Sequence, residues 1–161
     1  MDSIFVIKTI ITGIGATLIM DIWSLFQKRI LRVPPLNYAL PGRWILGLTE
    51  GKFLHRTILS TSRIKGETLT GWVFHYLTGI AFAFVPLLFN GAAWFREPSL
   101  IVGLLTGLVT LFAPFLILQP ALGFGIAASR TPRPWLARLM SVLTHLAYGI
   151  GLYFAALLFS A

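Results

Sequence analysis

Four stretches of the chain stay apolar long enough to cross about 30 Å of hydrocarbon, which takes roughly 20 helical residues. They are Ile4–Phe26, Leu69–Asn90, Ser99–Ala127 and Arg138–Phe159. Each run is continuous rather than alternating between apolar and polar positions, which predicts helices and not barrel strands. The third run is long enough to tilt, and Pro114 and Pro120 inside it predict a kink. Only Asp2 and Ser3 precede the first run, which also contains Lys8. That pattern lacks the basic leader of a cleavable signal, so the first run is expected to be a retained helix. The expected architecture is an all-α integral membrane protein. It is a single transmembrane domain over residues 1–161, with loops 27–68 and 128–137 on one side.

Composition strengthens this reading. Of the 161 residues, 57% are hydrophobic and 11% charged, and the mean hydropathy is +0.83. A soluble core of this size cannot hide so much apolar surface. The net charge of +8 taken alone would suit nucleic acid, but its distribution argues against that. Lys28, Arg29, Arg32, Arg43, Lys52, Arg56, Arg63 and Lys65 lie between the first and second runs, and Arg130, Arg133 and Arg138 between the third and fourth. The opposite side offers Arg96, with Lys8 within reach of the surface. The positive-inside rule then predicts both basic loops in the cytoplasm and both termini outside, in a multi-pass protein. The partners implied are the bilayer and anionic headgroups at its cytoplasmic face, with no nucleic acid. The chain has no cysteine, which excludes disulfides and thiolate metal sites, and no cofactor motif is present.

The long loop has ordered character. "VPPLNYALPGRW" opens on turn-forming prolines, and "GRWILGLTEGKFLHRTIL" mixes Trp44, Ile45, Leu48, Phe53 and Ile58 with Arg43, Lys52 and Arg56. One or two short helices along the headgroups are expected, as a connector, or as a lid or partner surface. His55 in this loop is expected to be solvated or interfacial. An internal echo also runs through the chain. "HYLTGIAFAF" and "HLAYGIGLYFA" each place a Gly four residues after a His, and "ITGIGAT" and "LTGLVT" each carry Thr-Gly followed by an aliphatic residue. A duplication would relate the two halves by an axis along the membrane normal.

Few strongly polar side chains fall inside the runs. At 1.5 Å per residue, Asp21 lies about 8 Å and Gln119 about 12 Å from the inner ends of their runs. By the same rise, His75 lies about 9 Å and His145 about 10 Å into theirs. The four therefore share a level in the cytoplasmic leaflet. Asp21 shares a stripe with Gly13 and Thr17, His75 with Gly79 and Ala83, His145 with Ser141 and Gly149, and Gln119 with Gly123 and Ala127. Small residues at this spacing mark close helix packing, so the polar groups are expected to point inward. Gly103 and Gly107 form a further small-residue pair, suited to internal packing or to a homo-oligomer. Two readings of the polar level stand: structural hydrogen bonds between helices, or a ligand-binding or proton-responsive site at Asp21, His75, Gln119 and His145. A two-His, one-carboxylate metal site would draw ligands from three helices without diagnostic spacing, and no metal is expected.

Several of these segments resemble a known family. "GIGATLIMDIW", "GRW" with "GKFLH", "GWVFHY", "LQPALGFGIAASRTPRP" and "THLAYGIGLY" are similar to small four-helix bacterial inner-membrane proteins grouped only as a domain of unknown function. The resemblance covers nearly the whole chain, and "QPALGFGIAASRTPRP" is its most specific part. It implies a bacterial four-span protein and carries no activity and no site residues. Three functions remain open: a small, oligomeric transporter or proton-linked unit; an enzyme on a lipid-type substrate, with Arg130, Arg133 and Arg138 on a headgroup phosphate; and a non-catalytic accessory protein. No nucleophile elbow or phosphate loop favours catalysis.

Overall fold

The structure is a computed structural model that describes residues 3–160. Every regular element among them is helical. Four helices are long and apolar enough to cross a membrane: Ser3–Arg29, Glu67–Phe95, Leu100–Ala121 and Pro134–Leu157. The first is the unbroken helix α1 (Ser3–Arg29) and the last the unbroken helix α7 (Pro134–Leu157).

The two middle helices are segmented. The second comprises α3 (Glu67–Phe82), α4 (Val85–Asn90) and a 3-10 turn at Gly91–Phe95. Pro86 has no N–H to return to the Phe82 carbonyl, and the chain turns at Ala83 and Phe84. The third comprises α5 (Leu100–Thr110), a π-helical stretch Ala113–Leu118 and a last turn α6 (Gln119–Ala121). The kink expected from the prolines is thus resolved as a π-helical stretch: Pro114 cannot bond to Thr110, and the Gln119 N–H donates to the Pro114 carbonyl. Helix ends at Ala121 rather than at the expected Ala127. Gly123 and Gly125 have φ of 87° and 74°, and Ala127 and Ala128 follow with φ of 47° and 59°. A run of left-handed backbone cannot continue a right-handed helix.

The chain divides into two compact units. The first comprises Met1–Pro35, Tyr76–Thr110 and Val142–Ala161. Its interior is made of Thr9, Thr12, Ala16, Thr17, Ala83, Thr106, Thr110, Ala155 and Ala156, with Trp94, Tyr148 and Leu152. Its large aliphatic side chains face outward: Ile4, Ile7, Ile11, Leu18, Ile22 and Leu25 follow one face of α1. A water-soluble core shows the reverse order.

Glycine sets the helix crossings of this unit. A methyl on Gly13 would meet the Ile80 Cα at 2.6 Å and the Gly79 carbonyl at 3.1 Å. One on Gly149 would meet the Gly103 carbonyl at 2.5 Å, and one on Gly151 the Ala16 Cα at 2.7 Å. The Gly103/Gly107 pair therefore serves internal packing, against Gly149 and the His145 carbonyl. The echo in the sequence reappears here. The Gly of each Thr-Gly motif packs against the segment running from the paired His to its Gly: Gly13 against Gly79, and Gly107 against His145 and Gly149. At one end, Phe95 packs edge-on against Phe5 and Phe159, and the Lys8 ammonium lies 5.4 Å from the Phe159 ring centre.

The second unit comprises Leu36–His75 and Leu111–Ser141. It holds α2 (Ala39–Leu48), a 3-10 turn at Ile58–Ser60 and the left-handed segment after α6. The long loop is joined to the end of the third run by hydrogen bonds from the His55 N–H to Ala121 O at 2.9 Å and from the Ile58 N–H to Leu122 O at 2.9 Å. Gly123 fits beneath this junction, where a side chain would strike the His55 and Arg56 carbonyls.

Candidate functional site

Two of the four predicted polar residues belong to the first unit. Asp21, on α1, accepts a hydrogen bond from the Tyr76 hydroxyl at 3.0 Å. His145, on α7, has its Nδ1 2.9 Å from the Thr110 hydroxyl of α5. Its carbonyl is the group a methyl on Gly107 would strike. Both ionisable side chains therefore bond to a hydroxyl on another helix, and His145 does so where helices pack closely. The sequence reading did not single out these hydroxyl partners. It also passed over Gln27, buried in α1, whose Oε1 accepts from Thr144 at 3.5 Å, and Tyr148, whose hydroxyl donates to the Gly79 carbonyl at 2.6 Å.

His75 and Gln119 belong to the second unit. His75 Nε2 is 3.0 Å from the Tyr38 hydroxyl, and the two rings stack at 4.3 Å. Trp72 closes on both, 4.4 Å from Tyr38 and 5.9 Å from His75. Gln119 Oε1 is buried with no hydrogen-bond partner among the described residues. The expected stripe of Gln119 with Gly123 and Ala127 does not form, because the helix has ended before either residue. His55 is half-buried: its Nδ1 lies 3.3 Å from the Thr61 hydroxyl, and its Nε2 is buried without a partner among the described residues. No group of three or more His, Asp or Glu side chains among the described residues is placed to hold a metal ion.

The long loop is tied down by a buried ion pair. Arg43, only 6% exposed, donates from Nε to Glu67 Oε2 at 2.7 Å and from Nη2 to Glu67 Oε1 at 2.9 Å. Its Nη1 donates to the Ile58 carbonyl at 3.1 Å and the Thr61 carbonyl at 2.8 Å. Glu67 Oε2 also accepts the Ile64 N–H at 3.0 Å. The hydrogen bond to Glu67 raises the Arg43 pKa above its ordinary value. Of the three arginines expected at headgroups, Arg138 donates from Nε to the Ala127 carbonyl at 2.8 Å, holding the left-handed segment. Arg130 lines a cavity, and Arg133 is exposed.

These features define a class: an all-helical protein with four membrane-length apolar helices and, in its first unit, an interior built mainly from glycine, alanine and threonine. The family model described as "Protein of unknown function (DUF2938)" matches residues 10–159, so the chain belongs to that family. No curated protein and no solved structure matches it.

Proposed function

We propose that this is a multi-pass protein of the bacterial inner membrane, with both termini outside and both basic loops in the cytoplasm, working as a small proton- or ligand-responsive unit of transporter type. The membrane assignment is supported by the inverted burial of the first unit, with aliphatic side chains outward and small and hydroxyl residues inward. The sidedness is supported by the positive-inside rule and by the hydrogen bonds that join the long loop to the end of the third run, next to the second basic loop, within one unit. With no cysteine in the chain, single thiols report it directly. A Ser160→Cys variant is expected to react with a membrane-impermeant maleimide in intact cells, and Ser129→Cys only after permeabilisation. The reverse pattern would invert the topology.

One observation carries the responsive role: Asp21 and His145 are each hydrogen-bonded to a hydroxyl of another helix, His145 beside the crossing at Gly107. A change of proton or ligand at either residue therefore alters a contact between helices, which is how a local charge change biases a packed element. His75, bonded to Tyr38, and Gln119, with its buried unpartnered oxygen, are assigned the same role within their own unit. The test is proton flux into liposomes containing the purified protein and a trapped pH-sensitive dye. Asp21→Asn is expected to cut the rate at least about tenfold, a typical loss when an intramembrane relay carboxylate is removed. Wild-type flux no faster than that of empty liposomes, or unchanged flux in Asp21→Asn, would remove the proton-linked role.

A further inference from the structure

The second unit contains a cavity of about 350 Å³ where the two basic loops meet, lined by Arg56, Thr57, Leu59, Phe124, Arg130 and Thr131. That volume is at the small end of ligand pockets, which run about 300–1,000 Å³. Its two arginines have no carboxylate of the unit as a partner. The carboxylates there are Glu50 and Glu67, and both are engaged, Glu50 by Lys52 at 2.6 Å and Glu67 by Arg43 at 2.7 Å. Neither the Arg56 nor the Arg130 guanidinium has a hydrogen bond or an ion pair among the described residues. Two like charges on one cavity repel unless an anion lies between them.

The wall that carries them is held in place. Gly123 keeps the third-run segment against the Arg56 and His55 carbonyls. At Gly125, φ is 74°, and a methyl there would meet the Arg130 Cγ at 2.9 Å, so this glycine lets the Arg130 stem lie against the backbone. Arg138 fixes the same segment through the Ala127 carbonyl. The Thr57 oxygen accepts the Leu59 N–H, at 3.4 Å, which leaves its hydroxyl proton available to a further acceptor. The Thr131 hydroxyl donates to Ala128 O and so braces the wall instead of meeting an anion.

We propose that this cavity binds a phosphate-bearing anion through Arg56 and Arg130, with the Thr57 hydroxyl as a third donor. Planar guanidinium forks match the oxygen spacing of a phosphate, and two of them carried on one braced cavity wall separate phosphate recognition from diffuse basic attraction. The apolar part of the lining, Leu59 and Phe124, gives the stem of the ligand an apolar neighbour, and Leu59 is itself 67% exposed. An amphiphile with a phosphate head therefore satisfies both halves of the cavity, while free phosphate would satisfy only the first. The site is distinct from Asp21, His75, Gln119 and His145, and its occupancy does not depend on proton flux.

The experiment titrates the full chain in neutral detergent with short-chain phosphatidic acid and, separately, with inorganic phosphate, following the melting temperature. The paired variant Arg56→Gln with Arg130→Gln is expected to weaken binding at least about tenfold, as loss of two charge-assisted contacts requires. Arg133→Gln, outside the lining, is expected to stay within about twofold of wild type, as a solvated charge that adds only screened attraction. Binding of phosphatidic acid with this dependence makes the ligand a lipid headgroup, whereas the same dependence with inorganic phosphate alone makes it a soluble phosphate. Binding of neither, or equal weakening by Arg133→Gln, overturns the proposal. Both glutamines replace exposed, unpaired side chains, and the melting temperature without ligand verifies that the variant folds.

Discussion

Replacing Arg43 by alanine is expected to lower stability by about 3–5 kcal/mol, the range found when one member of a buried ion pair is removed. For a chain of this length that corresponds to roughly 6–20 °C in Tm. The cause is not only the lost attraction. Removal leaves the Glu67 carboxylate buried without its cation, and it releases the Ile58 and Thr61 carbonyls that the guanidinium holds at 3.1 and 2.8 Å. A paired replacement, Arg43→Met with Glu67→Leu, removes the uncompensated charge and is expected to recover part of the loss. Recovery stays incomplete, because each deprived buried carbonyl costs about 1–3 kcal/mol. Thermal unfolding in detergent of the single and double variants checks both statements. A single variant within about 1 kcal/mol of wild type would mean that the pair is solvated, as exposed ion pairs are.

A methyl at Gly42 is expected to be nearly as damaging, and one at Gly47, five positions along the same helix, is expected to help. At Gly42 the new atom would strike the Glu67 carbonyl and come within 2.6 Å of the Gly71 N. These are backbone atoms and no side chain can swing aside, so α2 must move away from α3. Overpacking of this kind costs about 1–3 kcal/mol and occasionally more. Here the movement also pulls Arg43, the next residue, away from Glu67, so the losses from Gly42→Ala and Arg43→Ala should overlap and not add. At Gly47 the nearest atom to an added methyl is Lys52 Cβ at 3.6 Å, an ordinary contact. Alanine there gains up to about 1 kcal/mol of helix propensity. Comparison of the two melting temperatures against wild type checks the contrast, and similar shifts would contradict it.

What could be read from the sequence follows from which interactions are local. The four apolar runs, the concentration of cations in two loops and the small-residue stripes are periodic features, and period survives without knowledge of the fold. Gly13 against Gly79 and Gly103 against Gly149 are the crossings those stripes imply. The Arg43–Glu67 pair was hidden because its members are 24 residues apart and meet only after the loop folds. Arg43 looked like one more headgroup cation. Tyr76 and Thr110 in apolar runs and Tyr38 in the long loop were hidden for a related reason: a lone hydroxyl has no pattern of its own, and its role appears only with its partner. The end of the third run was misplaced because "ALGFGIAASR" is as apolar as a helix. Hydropathy does not register that Gly123 and Gly125 adopt left-handed backbone and take two alanines with them. Pro86 gave a usable signal that was overlooked in favour of Pro114 and Pro120.

Synthesis from the N-terminus also imposes an order on the hydrogen bonds of the long loop. A ribosome delivers Arg43 before Glu67, and both before Ala121 and Leu122, which accept from His55 and Ile58. Until the second helix begins, the guanidinium has no carboxylate, and until the third is complete, the His55 and Ile58 amides have no carbonyl. The loop written earliest is therefore among the last parts of the chain to acquire its final form. A nascent chain stopped short of Leu122 should leave residues 49–66 open to protease.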